Sequence, residues 1–406
     1  MFDLTSFINK HVTKRKTSMF ESDIQTNYSA ISDAIKGKSV LVIGGAGSIG
    51  SSFVRAILPF HPSELYIVDT NENALAELTR FLRSGGSFIP DTYLPYPMDY
   101  SSVTFSRMFY NHRRENGGAG FDIVANFSAH KHVRSEKDIY SIEALLRNNV
   151  INARRLLEQL NECSPEVYFC VSTDKAANPV NIMGASKRIM EDLIFSYSIH
   201  FPVKTARFAN VAFSNGSLPD GFLKRLAFGQ PLSAPSDVRR YFVSPQESGQ
   251  ICMLAAMLGE NRSIFFPKLA EESMTTFDAI ARDLLKCYGY EIDMCGSDEE
   301  AVEKSRRWKD GVPYPVYFSS SDTSGEKAFE EFYAEGENVD LERFVSLGVI
   351  TDKPAPEKNR VADLINALED ALKRQDCSKA EIVKIISAYL PNFSHIETGK
   401  SLDEKM

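Results

Sequence analysis

From Lys38 onward the chain alternates short β-branched runs with stretches whose apolar residues recur at helical spacing. "SVLVIGG", "ELYIVD", "YLPYPMD", "FDIVANFSA", "VYFCVST" and "VKTARFANV" read as successive strands. Between them, "SIGSSFVRAIL", "ENALAELTRFLRS" and "EALLRNNVINARRLLEQL" carry apolar positions on one helical face. Strand–helix alternation of this kind builds an α/β fold, a Rossmann-type doubly wound parallel sheet. After about Phe208 the rhythm breaks: "SNGSLPDGFLKRLAFGQPLSAPSDVRRYF" is rich in Gly, Pro, Ser and Asp and reads as loops and short elements. The expected organisation is a helical arm over 1–37, the Rossmann domain over 38–208, a smaller substrate-binding lobe over 209–350 with return segments to the sheet, and a helical extension and tail over 351–406.

Composition narrows the function classes. Of 406 residues, 43% are hydrophobic and 25% charged, as in ordinary globular proteins, and the net charge of −8 gives no footprint for general nucleic-acid binding. No apolar run approaches the ~20 residues needed to span a bilayer, and "MFDLTSFINKHVTKRK" lacks the order of a secretory signal. Six cysteines without a CxxC pair indicate reduced thiols and a cytoplasmic location, with neither a disulfide framework nor a zinc site. His130–His132, the only histidine cluster, has no supporting carboxylate or cysteine spacing, so no metal is expected.

"SVLVIGGAGSIGSSF" places Gly44, Gly47 and Gly50 after a strand and at the start of a helix, with Ser48 and Ile49 between the last two. Backbone amides at a helix N-terminus meet a pyrophosphate where no side chain blocks the approach; a plain tight turn is the competing explanation. Asp69 ends the second strand nineteen residues beyond Gly50, where a carboxylate accepts bonds from ribose hydroxyls and repels a 2′-phosphate. NAD therefore fits better than NADP. Asp99, at the next strand end, is either an adenine contact or the N-cap of a helix.

"VSTDKAANPVNIMGASKR" then raises a question. In a dehydrogenase site a tyrosine is expected four residues before Lys187, and Met183 stands there. The series "VLVIGGAGSIGS", "NFSAHKHV", "STDKAANPVNIMGASKR", "RFANV", "VRRYF" and "SGEKAFEEF" resembles the nucleotide-sugar 4,6-dehydratases of the extended short-chain dehydrogenase/reductase class. The likeness runs from about Ser18 to Tyr333 and is nearest to the bacterial UDP-N-acetylglucosamine 4,6-dehydratases of surface-glycan and polysaccharide biosynthesis. In that branch the Tyr position is sometimes Met, in the subset that keeps the C5 configuration. Larger members carry an N-terminal membrane part, and this chain resembles a soluble relative without it.

The resemblance implies an enzyme that oxidises C4 with tightly bound NAD, eliminates water across C5 and C6, and returns the hydride to C6. Elimination needs an acid for the C6 hydroxyl and a base for the C5 proton. Asp174 is assigned as acid and Lys175 as base, which requires a protonated carboxyl and a neutral amine. Burial favours both and their mutual attraction opposes both, while a surface ion pair is the plain alternative. Lys187 is expected to contact the nicotinamide ribose, with Thr173 taking the C4-hydroxyl proton in place of the absent phenol. Ser128 and Asn149 complete the implied cofactor contacts.

Lys131, His132, Asn210, Arg240 and Glu326 occupy implied substrate-binding positions; a guanidinium such as that of Arg240 matches two phosphate oxygens at once. Departures from the family pattern fall at Ser128, His130, Ala209 and Asn215, where the last replaces an arginine. These leave the UDP-sugar's identity open, with a GDP-sugar, an epimerase, a 5-inverting dehydratase and a non-catalytic NAD-binding sensor as rivals. Met183 argues against the epimerase and the inverting enzyme, and retention of Thr173, Asp174, Lys175 and Lys187 argues against the sensor. The class also implies a homo-oligomer, paired through the helices after Glu143 and Asn181.

Overall fold

The computed structural model describes residues 2–321 and 330–396. Among the described residues, nine strands form the central sheet: β1 (Ser39–Ile43), β2 (Glu64–Asp69), β3 (Thr92–Pro97), β4 (Ile123–Asn126), β5 (Val167–Val171), β6 (Val203–Ala206), β7 (Ile264–Pro267), β8 (Asn338–Asp340) and β9 (Leu347–Thr351). Their order is β8-β9-β7-β6-β5-β4-β1-β2-β3. The seven strands from β3 to β7 are parallel, while β9 pairs antiparallel with both β7 and β8. Strand order reverses between β1 and β4, which opens a crevice at the carboxyl ends of those strands.

β1 is "SVLVI", buried from Val40 to Ile43, as a central strand covered on both faces requires. One face carries α1 (Ser48–Ile57); the other carries α2 (Ile139–Leu146), which continues through a π-helical turn over Arg147–Ile151 into α3 (Asn152–Glu162), and α4 (Ile182–Ser196). Beyond them come α5 (Pro245–Leu258) on the α1 face, then α6 (Lys358–Leu372) and α7 (Lys379–Tyr389) on the α4 face. A three-stranded sheet of Leu232–Pro235, Tyr314–Ser319 and Ile292–Met294 packs with helices Leu218–Ala227 and Phe277–Cys287 around a separate small core.

All six strands read from the pattern are present. β7, β8 and β9 were not read from it: they are interleaved with or follow the lobe's elements, where no strand–helix rhythm frames them. The arm packs onto the body of the fold. Phe7, Ile8 and Val12 join the core of the small lobe, and Phe20, Ile31 and Ile35 join the core beside α1. Asp23, 3% exposed, accepts the amides of Val345 and Ser346 at 2.7 and 2.8 Å and so pins the entry to β9.

The helices implied as a subunit contact are covered within the chain. α6 packs on α4, Arg154 of α3 bonds Asn366 at 2.7 Å, and Arg155 lies 3.6 Å from Glu369. Val361, Leu364, Ile365, Leu368 and Ile386 are buried in the same core as Ile189, Met190 and Leu193. Among the described residues, no helix is long and apolar enough to cross a membrane.

Candidate active site

The glycine turn sits at the sheet's switch point. Gly44 has φ +70°, and a Cβ on it would meet the Ser128 amide nitrogen at 2.6 Å, so the turn closes directly onto the end of β4. At Gly50 a Cβ would come 2.2 Å from the Gly44 carbonyl oxygen, so α1 lies as close to the turn as a bare backbone allows. Gly47 is the N-cap of α1, leaving that helix's first amides for an anion. Ser48 Oγ accepts the Asn215 amide at 2.9 Å, tying the lobe to this turn, and Ile49 packs against the core below.

Asp69 ends β2 with one oxygen accepting the Ala46 amide at 3.0 Å and the other the Asn71 amide at 2.9 Å. Its carboxylate is thus fixed at the lip of the glycine turn. Asp99 is exposed and accepts the Ser101 amide and hydroxyl at 2.7 and 2.8 Å. The N-cap of the following helix is Ser102, which bonds the Phe105 amide, so the capping alternative for Asp99 is overturned.

Ser128 donates its hydroxyl to Asn148 at 3.0 Å. Asn149, 3% exposed, spends its amide group on the protein: Nδ2 donates to the His130 carbonyl and to Ser186, while Oδ1 accepts the His130 amide and an Asn148 N–H. It therefore shapes the His130 loop from the π-helical turn. On that loop Lys131 donates to Ser214 at 3.4 Å, and His132 lies against Gly216. Partial burial lowers the Lys131 ammonium below its ordinary value, with Asp220 opposing.

At the end of β5, Thr173 caps a single 3-10 turn over Asp174–Ala176. Thr173 donates its hydroxyl to Asp174 Oδ1 at 2.6 Å, and Lys175 Nζ lies 3.1 Å from both carboxylate oxygens. Asp174 is buried while the Lys175 side chain is 31% exposed. Burial lowers the Lys175 ammonium, but the Asp174 and Glu330 carboxylates outweigh it and hold the group above the usual lysine range. The opposing influences weighed from sequence thus resolve toward a charged Lys175, the reverse of the neutral amine assigned there.

Lys187, 4% exposed on α4, donates to the Val171 carbonyl at 3.0 Å, and burial lowers it from the ordinary value. Met183 is buried one turn earlier, and its amide donates to Glu136 Oε1 at 3.0 Å. The other Glu136 oxygen lies 3.2 Å from His395 Nε2, so the C-terminal segment braces the start of α4.

Arg240 is not a solvated arginine: it is 7% exposed, donates to the Arg239 carbonyl at 3.0 Å, and its charge acts on Lys175 and Glu330. Asn210 Nδ2 donates to Glu330 Oε1 at 2.6 Å, and the Tyr241 amide donates to Glu330 Oε2 at 2.7 Å. Burial and the Asp174 charge raise the Glu330 carboxyl to about 7, with Lys175 pulling the other way. Sequence reasoning missed Glu330 and Glu136; Glu330 stands in the quoted "SGEKAFEEF", but only the fold reveals its neighbours. Glu326, the residue chosen from that stretch, lies outside the described residues.

A glycine turn feeding a helix at the switch point of this sheet, faced by Lys187 and the Thr173–Asp174–Lys175 turn, defines an extended short-chain dehydrogenase/reductase. Residues 40–350 match the polysaccharide biosynthesis protein family, and the chain belongs to it. It is 28% identical over 347 residues to the probable polysaccharide biosynthesis protein EpsC of Bacillus subtilis, covering 84% of this chain and 55% of EpsC. With the UDP-N-acetylglucosamine 4,6-dehydratase (inverting) of Campylobacter jejuni, strain 81-176, it shares 24% identity over 75% of this chain and 84% of that one. The chain thus spans only about half the length of EpsC, but most of the dehydratase. Among solved structures, Pen from Bacillus thuringiensis shares the fold with a TM-score of 0.62 at 19% identity, covering 83% of this chain and 99% of Pen. The dTDP-glucose 4,6-dehydratase DesIV of Streptomyces venezuelae gives 0.54 at 18% identity, covering 72% of this chain and 87% of DesIV.

Proposed function

We propose that the chain is an NAD-dependent nucleotide-sugar 4,6-dehydratase that converts UDP-N-acetylglucosamine to the UDP-4-keto-6-deoxy sugar and keeps the C5 configuration. The observation that carries this reading is the Thr173–Asp174–Lys175 turn at the end of β5, with Lys187 beside it and the glycine turn across the crevice. Family membership supports the sugar-nucleotide class, and the dehydratase relative supports the reaction.

The glycine turn and Asp69 fit NAD: the first gives bare backbone at a helix N-terminus, the second a fixed carboxylate for the ribose hydroxyls. An NAD held there would supply the acceptor for the C4 hydride and its return to C6. Thr173 Oγ takes the C4-hydroxyl proton as its own proton passes to Asp174 over the existing 2.6 Å bond. This relay needs no phenol at position 183. Asp174, protonated in that step, then supplies the acid for the departing C6 hydroxyl, and the Lys175 ammonium stabilises negative charge that develops on the sugar. Lys187 orients the nicotinamide ribose, and Lys131, His132 and Arg240 gather positive potential for the diphosphate.

The test is proton NMR of the purified protein with UDP-N-acetylglucosamine in deuterated buffer without added reductant. A new C6 methyl signal with retained C5 configuration is expected. Inverted C5 would transfer the protein to the inverting branch, and no methyl from either this sugar or a GDP-linked one would sink the dehydratase reading.

A further inference from the structure

Resting on the dehydratase reading, the proton inventory of the site is one base short. Two protons leave the sugar, from the C4 hydroxyl and from C5, and two return, to the departing C6 hydroxyl and to C5. Thr173 and Asp174 account for one pair: the proton gained from C4 is the proton given to C6. Lys175 Nζ lies 3.1 Å from both Asp174 oxygens, and that ion pair, with the Glu330 carboxylate, favours the ammonium, which has no lone pair for the other. Lys187 donates to the Val171 carbonyl and already serves the nicotinamide ribose, and Met183 cannot titrate.

We propose that Glu330 is the base that removes the C5 proton and gives it back. Its carboxylate is anchored at both oxygens, by Asn210 at 2.6 Å and by the Tyr241 amide at 2.7 Å, and each oxygen keeps a second lone pair for a proton. The charged groups that act on it are Asp174 and Lys175 from the turn after β5 and Arg240 from the lobe. In the resting site burial and Asp174 poise it at about 7, near where a general base works best at neutral pH.

The step balances. The C5–H bond breaks and its proton goes to Glu330; its electron pair forms the C5–C6 double bond; the C6–O bond breaks and the oxygen leaves as water with the proton from Asp174. After C6 is reduced, the enolate takes a proton back from Glu330 at C5, or a deuteron where the carboxyl has exchanged with deuterated buffer. Asp174 and Glu330 finish as carboxylates and Lys175 as an ammonium, so the site resets without an outside acid or base. One group on one face both takes and returns the proton, which accounts for retention at C5.

The experiment compares the intact wild type with Glu330→Gln by proton NMR in deuterated buffer, reading the C6 methyl and deuterium at C5. Glu330→Gln is expected to lose both by roughly 100-fold or more, and the wild-type turnover is expected to rise with pH through a midpoint near 7. A Glu330→Gln rate within about threefold of wild type, with the same pH profile, would overturn the proposal and leave the dehydratase reading standing. A wild type that makes no methyl product ends both. If Glu330→Gln fails to fold, the wild-type profile decides: a rise centred near 7 supports Glu330, and a flat profile from about pH 6 to about pH 8 rejects it.

Discussion

A single hydrogen atom separates a working cradle from a blocked one at Gly50. Any Cβ there meets the Gly44 carbonyl at 2.2 Å, and the atom it meets is backbone that cannot swing aside. Gly50→Ala is therefore expected to carry about 1–3 kcal/mol of overpacking at the turn and to weaken NAD binding roughly ten- to hundredfold, read by titration calorimetry. The glycines, Asp69, Thr173, Asp174, Lys175 and Lys187 were legible because each stands in a short local pattern at a strand end. Glu330 and Glu136 were not, because neither carboxylate has a local signature. Glu330 owes its character to Asn210, the Tyr241 amide and Asp174, all far away in sequence. The charge state of Lys175 was illegible for a related reason: burial and pairing oppose each other, and only coordinates say which prevails.

Elements divide in the same way. β1 to β6 and the helices between them announce themselves by alternating periods. The later strands are separated by the elements of the small lobe and depend on partners already in place, so β8 and β9 gain meaning only beside β7. The C-terminal helices were legible as helices but not as a cover for α4. Ile365 is fully buried at that contact. Ile365→Ala is expected to cost about 2–5 kcal/mol, measured by urea unfolding. Because α4 carries Lys187 and Met183, the same variant is expected to lower NAD affinity as well as stability, which calorimetry with NAD would register.

At the scale of the molecule, a buried ion network joins the sheet to its last segments. Arg207, 0% exposed, bonds Glu191 at 2.7 and 2.8 Å and Glu337 at 2.8 Å, and Lys353 pairs with Glu337. Burial would raise the Glu337 carboxyl, but Arg207 and Lys353 pull it down to about 2. Its folded value lies below the unfolded one of 4.5, so its stabilisation is complete above that pH and fades as pH falls toward 2. The contribution is about 3 kcal/mol. Glu337→Gln is expected to be less stable than wild type by about that much at pH 7, with the gap closing as pH falls toward about 2, in urea melts across that range.

Two segments far apart in sequence meet the fold at places that matter for its assembly. Asp23 holds the entry to β9, more than three hundred residues downstream, and His395 braces the loop that caps α4. On a ribosome the arm emerges more than three hundred residues before its acceptor strand, so the apolar flank of α4 and the edge at β7 stay uncovered until α6 and β9 follow. A nascent chain is thus expected to expose apolar surface, the kind that holding chaperones bind, until those segments emerge, and the nucleotide crevice is braced only once α6 and α7 arrive.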